Sequence, residues 1–391
     1  MKRRKKRKIA GILRICTLLL LPSVVAASAS GIRSIHRSEA DYRKVAEAAP
    51  ASALKDDIPA YVQELNVPER LPGDELSGSA ILSEGYGVSA ETEPPTELLK
   101  LKSPLEMTAD DPGTKPYPTQ WEESGDIIRT TYQKYSGSAF FDLEKCGQVN
   151  NKTDIPNEKL REESVCLPNF TLTDNSGPQV LIYHTHTCES FEPFVREHYD
   201  ASFNFRTTDE TKSVVMVGDA IQAELEAQGI EVIHVRTIHD DPSYTGAYDR
   251  SRASIVPILE QYPSIKVALD IHRDAISGEG VAYQPYTEVN GREAAQVMII
   301  SGCDDGTMDM PEYMKNFHFA CALQQQLEGD TPHLTRPILF DYRKYNQDLT
   351  TGSLLIEVGS HGNTLEQVQY SGQLIGRSLG RLLNSIKKET K

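Results

Sequence analysis

The chain has 391 residues and a formal net charge of −15, with 41 Lys and Arg set against 56 Asp and Glu. That length holds one large domain or two ordinary ones, and an acidic body excludes nucleic acid as the natural partner. Six cysteines without a C-x-x-C pair argue against a paired-thiolate zinc site or a redox motif.

The first segment, residues 1–30, opens on a basic tip of seven Lys and Arg, Lys2 to Lys8. An apolar stretch follows from Ile9 to Ala27, broken by Arg14 and Pro22 and closed by small residues. This is the pattern of a secretory signal or of an uncleaved anchor with its N-terminus in the cytoplasm. Ile9 to Ala29 is just long enough to span a bilayer, which needs about 20 residues. The basic cluster suits anionic lipid headgroups. Either reading exports the remainder and makes the chain a cell-membrane, single-pass protein or a secreted one.

Residues 31–118 lack sustained apolar periodicity and are rich in Pro and acidic residues, as in Glu91-Thr92-Glu93-Pro94-Pro95-Thr96-Glu97. They read as a poorly ordered spacer, with a short helix from Asp41 to Ala48. Residues 119–176 form a small extension, with strands predicted near Ile127–Tyr132 and Gly147–Asn151. From 177 to 391 strands and helices alternate. Strands are expected over Val180–Tyr183, Ile230–Val235, Lys266–Ile271, Gln296–Ser301 and Ser353–Val358. Helices are expected over Lys212–Gln228, capped by Gly229, and over Tyr248–Glu260, Glu312–Leu327 and Thr364–Ser385. The alternation predicts an α/β domain with a largely parallel sheet flanked by helices.

Three of those strands end in residues that carry chemistry. Val180-Leu181-Ile182-Tyr183 runs into His184, His186 and Glu189. Val267-Ala268-Leu269-Asp270-Ile271 runs into His272, Arg273 and Asp274. Leu354-Leu355-Ile356 runs into Glu357. Imidazole nitrogen and carboxylate oxygen are the ligands of a catalytic zinc, which keeps one position open for water. Along an extended chain residues two apart point the same way, so His184 and His186 are expected to project from one face. Ligands of α/β sheets gather at the carboxyl ends of strands, where all three runs stop. Taken singly, each histidine also reads as a hydrogen-bonded loop residue; the joint pattern favours a metal. Cys188 lies beside these residues and reads less well as a nucleophile than they do as ligands. Of the five cysteines beyond the apolar segment, an odd number, at least one is expected to be free.

Tyr183-His184-Thr185-His186-Thr187, Val217-Gly218-Asp219, His239-Asp240, Tyr248-Asp249-Arg250-Ser251, Asp270-Ile271-His272-Arg273-Asp274-Ala275 and Glu357-Val358-Gly359 with Asn363-Thr364 occur in this order. The set resembles the stage II sporulation protein P family, membrane-anchored peptidoglycan hydrolases of spore formers related to the zinc N-acetylmuramoyl-L-alanine amidases. The match covers roughly Gly177 to Lys391. The resemblance implies a zinc amidase-like fold and cleavage of the N-acetylmuramoyl-L-alanine amide and of peptide cross-links during engulfment. It places zinc on His184 or His186, on Glu189 and on His272, with Glu357 as acid/base. If Tyr183 stands where related amidases carry an aspartate, His186 is the ligand, and His184 supports it or binds substrate. Arg273 would orient Glu357 or stabilise an oxyanion, or else pair with Asp270 or Asp274; Asp270 could instead hold His272. The remaining histidines, His198, His234, His239, His318 and His333, would serve structure or line the groove, and His361 has no assigned role. The implied partners are peptidoglycan, the stage II sporulation proteins D and M, and the membrane, at the sporulation septum. Two other readings fit the residues: a zinc deacetylase or carboxypeptidase of the wall, separated by which bond breaks, and a non-catalytic wall-binding or divisome module, separated by tolerance of ligand substitution.

Overall fold

The computed structural model describes residues 114–172, 177–278 and 280–387. The predicted membrane segment and the Asp41–Ala48 helix lie outside the described residues. No helix among the described residues is long and apolar enough to cross a membrane.

The elements in chain order begin with β1 (Gly125–Thr130), β2 (Phe140–Asp142), β3 (Gln148–Asn151) and α1 (Asn157–Ser164). Next come β4 (Val180–Tyr183), β5 (His198–Tyr199), α2 (Val214–Glu226), β6 (Val232–His234) and α3 (Ala247–Gln261). Then follow β7 (Val267–Asp274), β8 (Ser277–Gly278), β9 (Val281–Val289), β10 (Arg292–Ala295) and β11 (Val297–Cys303). The chain closes with α4 (Tyr313–Asp330), β12 (Ile338–Tyr342), β13 (Gly352–Ser360) and α5 (Leu365–Ser385).

An eight-stranded sheet in the order β2-β3-β12-β11-β13-β7-β4-β6 carries the fold. Both its faces are covered, which is why β4 reads as an unbroken apolar run. Val180 and Ile182 share one buried cluster with Val217, Ile221 and Leu225 of α2, against which α5 packs in turn with Ile375 and Leu379. Leu181 and Tyr183 point the other way, against Ile255 and Ile258 of α3. Each such side chain contributes about 1.5–3 kcal/mol on full burial. α5 starts in a capping box between Thr364 and Gln367.

The sheets are mixed, which corrects the expectation of a largely parallel one. β4, β6, β7 and β13 are mutually parallel where they pair, but β11 runs antiparallel to β13, and β2 to β3. Between β7 and β11 the chain makes two antiparallel turns that the sequence reading passed over, β8 onto β9 and β9 onto β10. β9 and β10 pair antiparallel with Val289 opposite Arg292. The two residues between them, Asn290 (φ 51°) and Gly291 (φ 74°), take left-handed conformations, as a two-residue hairpin turn demands. β9 also builds a second sheet, β10-β9-β1-β5 with β8 on β9.

Candidate active site

β4 stops at Tyr183, and residues 185–188 form turns rather than extended chain. His184 and His186 therefore do not share a face, contrary to the expectation. His184 keeps the side of the sheet that Ile182 faces and lies under α2. Its Nδ1 is 2.9 Å from the Ile271 carbonyl oxygen and its Nε2 is 2.8 Å from Nε2 of His234. With Nδ1–H donating to that carbonyl, Nε2 accepts from His234, and both nitrogens are engaged. Beyond it, Nδ1 of His234 lies 3.2 Å from Asp219 Oδ1, and Arg236 pairs with Asp219. Gly218 makes room for this histidine pair. A Cβ there would stand 2.5 Å from Nε2 of His234 and 2.9 Å from Nε2 of His184. Gly in mid-helix costs about 1 kcal/mol against Ala, so packing decides this position. Burial, reinforced by the charge of His234, holds His184 well below the ordinary histidine range.

His186 turns toward His272, the two rings meeting edge to face at 5.2 Å. Tyr244 stacks on His186 at 4.1 Å between centroids. The buried Nδ1 of His186 makes no hydrogen bond, and neither does Oδ2 of Asp240, 3.8 Å away. Burial pushes Asp240 up to about 6, against the pull of Arg206.

His272 lies within β7, directly opposite Glu357 of the parallel β13. Both strands run past the points where the sequence reading ended them, and their register shifts between Glu357 and Ser360. Nδ1 of His272 is 3.5 Å from Glu189 Oε2. Its Nε2 is 2.9 Å from Asp270 Oδ1, an ion-pair distance without hydrogen-bond alignment. Burial alone would lower the His272 pKa, but Asp270 and Glu189 outweigh it and hold the ring well above its usual range. Burial would raise Glu189, yet Arg273, His272 and His186 bring it down to about 2. Asp270 also accepts from the backbone N–H and the hydroxyl of Thr185, which fixes the turn after β4.

Glu357 is 5% exposed and its Oε2 has no hydrogen-bond partner. Burial, with the charges of Asp274 and Glu189, pushes it up to about 8. Arg273 does not reach it. The Arg273 backbone N–H donates to Glu189 Oε2 at 3.0 Å, Nε donates to the Ser190 carbonyl at 3.0 Å and Nη2 to that of Phe205 at 3.2 Å. Besides the His272 ring opposite, the cation near Glu357 is Arg336, paired with Asp274 at 2.8 Å. Arg336 sits just before β12, a strand the sequence reading lacked, so no signal flagged it. Tyr244 and Tyr248 also went unmarked as site residues; Tyr248 lies near-parallel to the His272 ring at 6.4 Å. Cys188 is buried beside Asp240, and burial raises its thiol far above the ordinary value, which leaves no reactive thiolate.

The donors present suit a borderline divalent cation. Two imidazoles and a carboxylate come together: His272 Nδ1 lies 3.5 Å from Glu189 Oε2, and the His186 ring meets that of His272 edge to face. Spacing is looser than a closed site: the four predicted residues are not among those whose donor atoms all lie within 4.8 Å of one another.

A family model described as Stage II sporulation protein P matches residues 101–380. The Stage II sporulation protein P of Bacillus subtilis (strain 168) is 28% identical over 230 residues, 56% of this chain and 54% of that protein. The chain thus spans about half the length of the curated relative it matches. Among solved structures, the N-acetylmuramoyl-L-alanine amidase AmiC2 of Nostoc punctiforme has a TM-score of 0.32 at 13% identity, over 54% of this chain and 98% of that one. The CwlD amidase of Clostridioides difficile, in complex with the GerS lipoprotein, has a TM-score of 0.32 at 12% identity, over 53% and 99%. A metallo-carboxypeptidase from Burkholderia cenocepacia has 0.33 at 11%, over 54% and 58%. Scores this low carry no activity across. The family match is of another order, since it takes in most of the described residues, and by it the chain belongs to the stage II sporulation protein P family.

Proposed function

We propose that this chain is a sporulation peptidoglycan hydrolase that cleaves the N-acetylmuramoyl-L-alanine amide, and peptide cross-links as well, with zinc held by His186, Glu189 and His272. The observation that carries the reading is the placement of a buried, unpaired carboxyl, Glu357, one strand away from a convergent imidazole–carboxylate set. Zinc bound there supplies a Lewis acid for the scissile carbonyl and lowers the pKa of water toward about 7.

The chain's own residues do the rest. Asp270 faces the far nitrogen of His272, and Asp240 lies near His186, so each ring has a carboxylate behind it to set its tautomer and orientation. Arg273 is a positioning residue: it pins the loop carrying Glu189 through the carbonyls of Ser190 and Phe205 and lowers the Glu189 pKa. Asp270 and Glu189 favour the protonated His272 ring in the metal-free chain, and a ligating ring must be neutral, so zinc binding is expected to weaken as pH falls. Oε2 of Glu357 is the atom that takes the proton from the attacking water and returns it to the leaving amine, a step contributing about 10² to 10⁴ in rate. His184 supports the turn from beneath and binds no metal.

Mass spectrometry of wall fragments released by the purified chain tests the bond assignment. A new N-terminal alanine and a free lactyl carboxyl are expected, and release of acetate alone would sink the amidase reading in favour of a deacetylase. The family's partners, the stage II sporulation proteins D and M, and action at the septum belong to the same proposal, with residues 1–30 as tether. If a chain lacking Met1 to Ala29 and secreted freely still supported engulfment, tethering would be irrelevant.

A further inference from the structure

We propose a second cation site, 119–176 joined to the catalytic half, in which Glu163, Cys166 and His318 take a zinc-type divalent ion. Among the described residues, these form the group of His, Cys, Asp and Glu whose donor atoms all lie within 4.8 Å of one another. Glu163 lies in the last turn of α1, and Cys166 follows two residues after that helix, its backbone N–H donating to the Glu163 carbonyl at 3.0 Å. His318 comes from α4, only 8% exposed.

The surroundings of His318 point to a cation. Its Nδ1 faces Asn169 Oδ1 at 2.6 Å, and its Nε2 faces Glu163 Oε2 at 2.7 Å. A neutral imidazole has one N–H for these two acceptors. With Nδ1–H given to Asn169 Oδ1, the Nε2 lone pair would face the Glu163 carboxylate, an arrangement that a cation taken by Nε2 and the carboxylate relieves; with the Asn169 amide turned to donate to Nδ1, Nε2–H instead pairs directly with Glu163. The third donor decides which metal. A sulfur at this position favours zinc or cobalt over magnesium or calcium, which prefer oxygen alone. Asn169 then does for His318 what carbonyl and carboxylate groups do behind zinc-bound histidines, fixing the ring from its far nitrogen. Cys166 is exposed, so the fourth position is open to water. Phe170 meets Phe319 edge to face at 5.2 Å beside the site, so the ion would clamp an interface already packed.

The full chain is titrated with Co²⁺ and followed by the thiolate-to-cobalt charge-transfer absorption, to which an all-nitrogen-and-oxygen site is silent. The band is expected in the wild type, absent in Cys166→Ser and strongly weakened in His318→Gln. Bound metal should fall by about one ion per chain in Cys166→Ser. His272→Ala should leave the band unchanged, which separates this site from the one around Glu189. No band in the wild type would mean a histidine–carboxylate hydrogen bond only and would overturn the proposal, as would a band that survives Cys166→Ser.

Discussion

Replacing Glu357 by Gln separates catalysis from architecture. The side chain is 5% exposed, its Oε2 has no partner, and it stands among Asp274 and Glu189 with only Arg336 and His272 to offset them. Its carboxyl is therefore raised from 4.5 to about 8. Between those values the folded metal-free chain keeps a proton that the unfolded chain has released. Stability then falls as pH rises, by about 1.4 kcal/mol per unit, until the folded pKa is passed. A neutral amide of the same shape escapes this. Urea melts of metal-free protein should show Glu357→Gln more stable than wild type at pH 8 by about 2–5 kcal/mol, the gap closing toward pH 5. Zinc content should stay near normal. Turnover on purified muropeptides should drop by about 10² or more, because an amide cannot accept the proton. A folded, zinc-loaded variant that cleaves at the wild-type rate would refute the assigned role. One that melts below wild type at pH 8 would show instead that Glu357 is held by a stabilising pair.

The two histidines of the His184-Thr185-His186 segment should part under substitution. His184→Ala leaves the His234 donor without its buried acceptor and opens a cavity, so chemical melts should show a loss of about 2–4 kcal/mol while the folded fraction keeps its zinc. His272→Ala should instead lose metal by elemental analysis, and full metal content would remove it from the ligand set. Gly218→Ala gains helix propensity yet drives a Cβ to 2.5 Å from His234; a net loss of about 1–3 kcal/mol is expected, and a melt at or above wild type would show that the pair moves aside freely. Cys188→Ala should keep its hydrolytic rate on muropeptides per folded molecule, since a nucleophilic role would abolish it.

What the sequence disclosed here follows from the range of the forces involved. β4, α2 and α5 were legible because their patterns are local: four apolar residues before a turn, an apolar stripe at helical spacing, a Thr–Gln cap. The pairing of His272 with Glu357 was half legible. Each sits in an apolar run, but nothing local says that β7 and β13 are neighbours while β11 reverses beside them. Between those strands the chain folds back at Asn290-Gly291, a turn whose signal was in the sequence and went unweighed. The roles of the two histidines depended on one fact, where β4 ends. Had the chain stayed extended, both rings would have faced one way. Because it turns after Tyr183, parity with Ile182 sends His184 beneath α2 and frees His186 to meet His272. Arg273 and Arg336 show the limit most plainly. An arginine beside a predicted ligand looks like a reagent, yet its donors go to the carbonyls of Ser190 and Phe205. The arginine near the carboxyl comes from a distant segment, and only the assembled sheet brings it there.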